Sequence, residues 1–272
     1  MQQKRFEGKT VLITGSGSGI GKATAQAFGR EGAAVMLNGR DAAKLEITCA
    51  LLLDQGCRAA YCVADVTNYA DCQRLVRETL DRFGRLDALV ANAGMTMRAG
   101  FEQLNPGVFQ QVVASNLLGP AYAAHAALPA LKASGGNILF IGSLAGLIGL
   151  PSASAYSAGK MALTALTQSL RTELSEAGVH VGIVYVGFTQ NDAGKRVYDA
   201  QGNLVPVAER PGGMQQSQEA VAKAIVHSAY RRKKRTVLTT IGKILDLLNS
   251  LSPSLVEWAL KWSQKKMQNM YK

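Results

Sequence analysis

Short apolar runs rich in β-branched residues alternate along the chain with longer segments whose apolar positions recur every three or four residues. An apolar run that ends in turn residues favours a buried strand, and a period near 3.6 favours a helix with one buried face. The predicted strands cover residues 10–14, 34–37, 59–63, 86–91, 137–141, 180–184 and 236–240. The predicted helices lie near residues 20–30, 42–55, 69–83, 107–133, 155–177 and 217–231.

This alternation predicts one α/β domain of the Rossmann-like type over residues 1–240. Strands separated by helices pair in parallel through right-handed crossovers, which gives a doubly wound sheet of about seven strands with helices on both faces. Ligands of such sheets bind beyond the carboxyl ends of the strands, so functional residues are expected directly after each strand. Residues 241–272 are predicted to form an amphipathic helical C-terminal extension.

Composition and charge indicate what class of protein this is and where in the cell it is expected. The 272 residues are 47% hydrophobic and 18% charged, which is typical of a globular protein. No signal region and no apolar run of about 18 residues is found, so we expect a cytoplasmic protein. The spacing of Cys49, Cys57, Cys62 and Cys72 fits neither a redox pair nor a metal site. Most of the net charge of +11 belongs to residues 231–272, where ten Lys or Arg accompany two Asp or Glu.

A glycine-rich segment, TGSGSGIG at residues 14–21, joins the first predicted strand to the first predicted helix. Gly15, Gly19 and Gly21 permit a tight turn, close approach of a pyrophosphate, and close packing of helix on strand. The helix N-terminus adds free N–H groups and a positive dipole. Glycines alone are a weak signal, but the strand–turn–helix context favours dinucleotide binding.

The second predicted strand ends in NGRD at residues 38–41, which bears on the choice of cofactor. An NAD binder usually offers a carboxylate here to the ribose 2′-hydroxyl. Gly39 instead removes the repulsion against a 2′-phosphate, and Arg40 supplies a guanidinium that can bind it, although a solvated loop arginine is the alternative. Asp41 is expected to cap the next helix. The sequence therefore favours NADP(H) over NAD(H).

A tyrosine and a lysine, Tyr156 and Lys160, share one stripe of the predicted helix 155–177 with core-facing leucines. Burying an unpartnered ammonium is expensive. Either the stripe reaches solvent at this end, or an anionic or hydroxyl-rich group meets the lysine.

The motifs, taken in order and spacing, resemble the short-chain dehydrogenase/reductase family over about residues 6–240. They are TGSGSGIG, DVT (65–67), NAG (92–94), Asn116, Ser143 and YSAGK (156–160). The resemblance implies that Lys160 binds the nicotinamide ribose and lowers the pKa of Tyr156, which exchanges a proton with the substrate oxygen. Ser143 would hydrogen-bond the same oxygen, and Asn116 would hold a water that continues the proton path from Lys160.

The resemblance also assigns the cofactor site. Its remaining residues are Gly15, Ser16, Ser18, Gly19, Ile20 and Gly21 at the phosphates, Asp65 and Val66 at the adenine, and Asn92, Ala93 and Gly94 beside the ribose. After the sixth strand the family's proline and threonine are replaced by Val186 and Asn191, which removes the fixed φ of proline. Gly187 is kept, and Thr189 or Asn191 can bond a carboxamide.

Residues 187–216 lie where this family builds its substrate lid, and their Gly, Pro and polar content predicts a segment that is mobile until ligand binds. Its apolar members are Phe188, Val197, Tyr198, Leu204, Val205 and Met214. The implied function is NADP(H)-dependent interconversion of an alcohol and a carbonyl on an apolar or lipid-like substrate. A 3-ketoacyl thioester reductase is one alternative. A catalytically silent nucleotide-binding regulator is another, against which the intact catalytic residues argue.

The extension contains two apolar stripes. The first stripe comprises Ile241, Ile244, Leu245, Leu248 and Leu251. Ser252 can then cap a second helix that begins at Pro253. Its stripe comprises Leu255, Trp258, Ala259 and Trp262, and Lys261, Lys265 and Lys266 lie elsewhere on that helix. Trp and Leu opposite lysines fit a helix that lies on an anionic membrane surface. Packing on the enzyme's own body or a dimer mate is the alternative. The C-terminal apolar helices of membrane-associated relatives such as hydroxysteroid dehydrogenases favour reversible membrane contact.

A basic run, RRKKR at residues 231–235, is a weak indication of nucleic-acid binding. It lies between a predicted helix and a predicted strand and has no interleaved aromatic residues. We therefore interpret it as a solvated helix terminus and expect no nucleic-acid partner. The expected partners are a small-molecule substrate and further copies of the chain in a homodimer or homotetramer.

Overall fold

The computed structural model describes residues 4–207 and 215–270, with side chains as far as Trp262 in the last helix. Met214 and the side chains of Lys265 and Lys266 lie outside the described residues. The strands of the described part are β1 (Thr10–Ile13), β2 (Ala34–Gly39), β3 (Ala59–Val63), β4 (Ala88–Ala91), β5 (Asn137–Ser143), β6 (His180–Val186), β7 (Arg196–Tyr198), β8 (Leu204–Pro206) and β9 (Arg235–Val237). Its helices are α1 (Gly19–Arg30), α2 (Ala42–Asp54), α3 (Tyr69–Phe83), α4 (Pro106–Val113), α5 (Gly119–Ser134), α6 (Ser154–Glu173), α7 (Gln218–Tyr230), α8 (Thr240–Leu251) and α9 (Pro253–Met270).

The central sheet of the described residues has seven parallel strands in the order β3-β2-β1-β4-β5-β6-β9. Successive side chains of a strand point to opposite faces. In β1, Val11 and Ile13 enter a cluster with Phe28 of α1, and Leu12 enters another with Leu75 of α3. Both faces are therefore covered by helices, and the predicted doubly wound Rossmann-like fold is confirmed. The strand order reverses between β1 and β4, where such sheets bind their ligands.

The helix predicted at residues 107–133 is interrupted by a π-helical turn, Ala114–Leu118, between α4 and α5. Asn116 lies in this turn, and its side-chain Nδ2 donates to the carbonyl of Val112 at 2.8 Å. Pro120, four residues further, has no N–H to give to the Asn116 carbonyl. The regular hydrogen-bond ladder is therefore broken on both sides of Asn116, as is common at functional sites.

The seventh strand was predicted at residues 236–240, but β9 ends at Val237 and α8 begins at Thr240. The prediction was wrong at this end because Thr239, which we interpreted as a β-branched strand residue, caps the helix. Its hydroxyl accepts from the N–H of Gly242 at 2.9 Å. Asp41 caps α2 in the same way, as predicted, by accepting from Lys44 N at 3.1 Å.

The segment predicted to be a lid that is mobile until ligand binds contains the antiparallel hairpin β7–β8, which the sequence analysis did not identify. Its turn is closed by Asp199, whose carboxylate accepts from the N–H groups of Gln201 and Asn203 at 2.9 and 2.8 Å. The hairpin contacts the segment after β4, where Arg98 N donates to Tyr198 O at 2.8 Å. Asp and Gly at the turn were an available signal.

Helices α8 and α9 pack on the body with one side and expose the other. Leu245, Val256 and Leu260 join the core cluster, and Asn249 Nδ2 donates to the carbonyl of Leu147 at 3.0 Å. The other side, here called the outer apolar face, consists of Ile241, Ile244, Leu247, Leu248, Leu251, Leu255, Trp258 and Trp262. Among the described residues, none of the helices combines the length and apolar character that a membrane crossing needs.

Candidate active site

The turn between β1 and α1 is shaped for an anion. A Cβ on Gly21 would lie 2.1 Å from the carbonyl oxygen of Gly15, so only glycine fits there. Gly19 has φ +55°, which favours glycine as well. Ser18 occupies the N-cap position, but within the described part its side chain makes no capping hydrogen bond. The Gly19 N–H instead donates to the carboxylate oxygen Oδ2 of Asp192 at 2.6 Å, so an anion is already bound at this helix N-terminus.

Ser16 belongs to the same glycine-rich turn. Its side chain is buried, and its Oγ accepts from Asn38 N at 2.9 Å, so the hydroxyl ties the turn to β2. Asn38 in turn donates from Nδ2 to the carbonyls of Cys62 and Ala64, at 3.3 and 3.0 Å, and joins β2 to β3. The sequence analysis missed Asn38; a polar residue at the end of the apolar run AVMLN was the signal.

A cleft opens at the carboxyl ends of β1 to β4. The predicted residues that line it are Gly15, Arg40, Asp65, Val66, Ala93 and Gly94. The lining residues that the sequence analysis did not identify include Asn38, Met95, Gln111, Ala114 and Ser115. Arg40 Nη1 lies 3.6 Å from Asp65 Oδ2, with side chains that are 58% and 39% exposed, so this ion pair at the rim of the cleft is screened by solvent. Ile20 is half-buried in the first turn of α1 beside this cleft.

Asn92 ties β1 to β4 at the switch point of the sheet. Its Nδ2 donates to the carbonyls of Thr14 and Gly15 at 2.9 and 3.0 Å. Thr14 Oγ1 accepts from the N–H groups of Asn92 and Ala93 at 3.0 and 2.9 Å. The NAG segment is therefore held rigidly against the glycine-rich turn.

The lysine of α6 is buried, with 4% of its surface exposed. Lys160 Nζ donates to the carbonyl of Ile141 in β5 at 2.8 Å and lies 5.8 Å from the centre of the Tyr156 ring. Burial lowers the pKa of Lys160 to about 8, because the charged form loses hydration. Among the described residues, the carbonyl of Ile141 is the hydrogen-bond partner of this ammonium.

Tyr156 has a raised pKa, and burial is the main cause. A hydrogen bond with Ser143 and the charge of Arg98 act in the opposite direction. Tyr156 is therefore protonated at neutral pH, which suits donation to a carbonyl oxygen. The expectation that the charge of Lys160 lowers the pKa of Tyr156 stays a prediction. Arg98 was missed, and nothing in the sequence near it marks it.

Asn116 and Lys160 converge on Gly94. A Cβ built on Gly94 would lie 2.6 Å from Asn116 Oδ1 and 3.6 Å from Lys160 Nζ. Asn116 Nδ2 is fixed by the carbonyl of Met95 at 2.6 Å, whereas its buried Oδ1 has no hydrogen-bond partner among the described residues. A buried acceptor without a protein partner is costly, and a bound water could satisfy it.

The loop after β6 approaches the same edge of the sheet. Val186, where the family has proline, is the last residue of β6 and pairs with Ser143 of β5. A Cβ on Gly187 would lie 2.6 Å from Thr239 Cγ2, so the loop passes closely beside the start of α8. Thr189 Oγ1 donates to the Gly187 carbonyl at 3.3 Å. Without proline, the strand simply continues one residue further.

These features fit a nicotinamide dinucleotide: an anion position at α1, a cleft across β1 to β4, and a tyrosine, serine and lysine at the end of β5 and start of α6. A family model described as short chain dehydrogenase matches residues 9–202. The 11-beta-hydroxysteroid dehydrogenase 1A of Arabidopsis thaliana is 33% identical over 270 residues, which cover 93% of this chain and 75% of that protein.

Two solved structures share the fold. A short chain dehydrogenase/reductase from Burkholderia phymatum, in complex with NAD, has a TM-score of 0.81 at 23% identity and covers 92% of this chain and 96% of its own. An alcohol dehydrogenase from the archaeon Thermococcus sibiricus, complexed with 5-hydroxy-NADP, has a TM-score of 0.73 at 26% identity. That alignment covers 86% of this chain and 97% of the archaeal one.

Proposed function

Since the chain belongs to the short-chain dehydrogenase family and is an oxidoreductase that acts on hydroxyl and carbonyl groups with a nicotinamide cofactor, we propose that it uses NADP(H) and acts on an apolar, lipid-like substrate. The convergence of Ser143, Tyr156 and Lys160 at one edge of the sheet, with Asn116 beside them, supports the carbonyl chemistry. Arg40 at the cleft supports the cofactor preference, and the apolar cluster beside Tyr156 supports the substrate class. The homodimer or homotetramer expected from the sequence stays a prediction.

In this reaction the side chains of the protein would transfer the proton, and a bound nicotinamide would supply or accept the hydride. In the reducing direction, the protonated phenol of Tyr156 donates to the carbonyl oxygen that Ser143 holds by a hydrogen bond. Lys160 would hold the nicotinamide ribose, and a water on Asn116 Oδ1 would return a proton toward Tyr156 by way of Lys160. In the oxidising direction each proton moves the opposite way.

The substrate class is inferred from the apolar side chains that pack beside Tyr156. A small apolar cluster of Met97, Leu104, Val108, Val112 and Ala155 packs against the Tyr156 side chain and against Tyr198 of the lid hairpin. Such a cluster fits an apolar ketone or alcohol. The charge of Arg98 acts in the same region and would favour an anionic group instead.

Turnover assays on the native protein separate these possibilities. The panel contains apolar ketones, small hydrophilic ketoacids and a 3-ketoacyl thioester, each assayed with NADPH and with NADH. We expect the highest kcat/KM for apolar ketones with NADPH. Efficient reduction of ketoacids and none of apolar ketones would contradict the proposed substrate class, and turnover of the thioester alone would establish the ketoacyl alternative.

The preference for NADP(H) rests on Arg40 at the rim of the cleft, where its partner Asp65 is exposed and replaceable by a 2′-phosphate. In Arg40→Ala, we expect the Kd of NADPH to rise by about 10- to 100-fold, the range of a charge-assisted contact, while the Kd of NADH changes by less than about twofold. Fluorescence titration of both nucleotides measures this. Arg77→Ala, an exposed arginine of α3, is the control for lost surface charge. Tighter binding of NADH than NADPH by the native protein would refute the preference.

We also propose that the outer apolar face binds an anionic lipid surface. Leu251 and Trp258 are 73% and 65% exposed, and residues 231–272 carry ten basic against two acidic residues. Apolar area entering the acyl boundary and cations meeting head groups would act together. Because Asn249 bonds the carbonyl of Leu147, four residues after Ser143, such contact would bring the substrate side of the enzyme to the lipid.

Liposome cosedimentation at low salt tests the membrane proposal. Trp258→Glu should reduce the bound fraction on anionic vesicles by about tenfold, since it replaces inserted apolar area with a negative charge. Ser254→Glu adds the same charge at another exposed position of α9 and should have a much smaller effect. Point variants are preferred to truncation because Leu245 and Val256 pack on the body. If the native protein stays in the supernatant, the outer apolar face has another role.

A further inference from the structure

The loop after β6 reaches across the cofactor site and binds the start of α1. Asp192 Oδ2 accepts from Gly19 N at 2.6 Å, although the two residues are 173 positions apart in the sequence. Gly19 is the first residue of α1, and the free N–H groups of a first helical turn carry positive dipole. The carboxylate therefore lies where the helix best stabilises a negative charge.

A second helix start holds the same carboxylate. Gln218, the first residue of α7, donates from Nε2 to Asp192 Oδ1 at 2.8 Å and to the carbonyl of Gln190 at 3.1 Å. The carbonyl of Asp192 also accepts from Lys195 N at 3.2 Å. Both carboxylate oxygens are thus engaged, one on each side of the loop, and the contact is built from several elements.

The contact between Asp192 and Gly19 conflicts with binding of the cofactor. The inference rests on the proposed function, in which a dinucleotide binds at this turn. A dinucleotide places its pyrophosphate at the N-terminus of the first helix, where the Gly19 N–H is occupied by Asp192. One N–H cannot serve both anions, and two anions this close repel each other. We propose that Asp192 is a cofactor-affinity determinant: its carboxylate takes the place of the pyrophosphate in the free enzyme and must leave when the cofactor binds.

Release of Asp192 would also affect the β7–β8 hairpin of the predicted lid. Asp192 lies five residues after Gly187 and four before β7, so it links the nicotinamide end of the site to the hairpin. That hairpin bonds the segment after β4, with Tyr198 N donating to the carbonyl of Thr96 at 3.2 Å. The exchange of carboxylate for pyrophosphate would therefore free the segment that leads to the hairpin.

The test removes the charge and keeps the shape. Asp192→Asn should lower the Kd of ADP, NADPH and NADH by about tenfold each, since repulsion and competition for the helix N-terminus are both reduced. Adenosine, which has no phosphate, should bind the variant and the native protein equally. Asp192→Ala, which cannot bond Gly19 at all, should also bind ADP more tightly. Glu219→Gln, which removes one charge from the neighbouring first turn of α7, should change none of these constants by more than about twofold.

Titration calorimetry or nucleotide fluorescence gives every constant needed. Unchanged or weaker ADP binding in both Asp192 variants would overturn the proposal, and so would an equal gain for adenosine. The gain must be the same for NADPH and NADH because they share the pyrophosphate. A wrong assignment of cofactor preference would appear in Arg40→Ala alone and would leave the Asp192 result intact.

Discussion

Replacing Tyr156 with phenylalanine should lower kcat by about 10²- to 10⁴-fold while the Kd of NADPH stays within about twofold of the native value. The phenylalanine ring keeps the packing against the apolar cluster of Met97 and Ala155, so the fold should be retained. What is lost is the hydroxyl that hydrogen-bonds with Ser143 and exchanges the proton with the substrate oxygen. Cofactor contacts do not depend on that proton.

Steady-state assays and nucleotide titration on the purified variant check both halves of this expectation. Tyr122→Phe is the matched control: it deletes a tyrosine hydroxyl on α5, where the ring packs edge-to-face with Tyr69, away from the catalytic residues. It should keep native turnover. A Tyr156→Phe enzyme that retains most of its kcat would show that the proton comes from another group.

The sequence predicted features that depend on local patterns. The glycine turn, the cap at Asp41 and the strand–helix alternation each rest on residues within a few positions of one another, and the structure agrees with them. The bond from Gly19 to Asp192 and the pair of Ser16 with Asn38 join residues that are distant in sequence. No periodicity encodes such contacts, because they depend on how finished elements pack.

In the C-terminal extension, too, the sequence pattern predicted the helices but not what packs against them. Periodicity correctly predicted two helices and the start of α9 at Pro253. It could not tell that Leu245 and Val256 face the body while Leu251 and Trp258 face outward, since an apolar stripe shows that a face exists and not what covers it. Of the two predicted stripes, only Leu245 is half-buried, and every member of the second is exposed. Packing on the body therefore uses Val256 and Leu260, which the predicted stripe did not include, and membrane contact stays a prediction.

Replacing Lys160 with methionine should stabilise the native fold at pH 7 and abolish turnover. The pKa of Lys160 is about 8 in the folded chain against an ordinary value of 10.5, so the native state binds fewer protons than the unfolded state between these two pH values. Stability must therefore rise with pH across that window, and the cost of burying the charge is fully present below about pH 8. The shift corresponds to roughly 3 kcal/mol, from which the lost hydrogen bond to Ile141 removes about 1 kcal/mol.

Urea unfolding of native protein and variant at pH 7 and at pH 10 measures the difference. We expect Lys160→Met to exceed the native free energy of unfolding by about 2 kcal/mol at pH 7, and the advantage to disappear or reverse near pH 10, because the native lysine is by then neutral when folded. Lys223→Met, on an exposed position of α7, should show no such pH-dependent gain. A variant that is less stable than the native protein by the same amount at both pH values would mean that the ammonium is fully compensated by its surroundings. The cost of burying the Lys160 charge that the lowered pKa implies would then not exist.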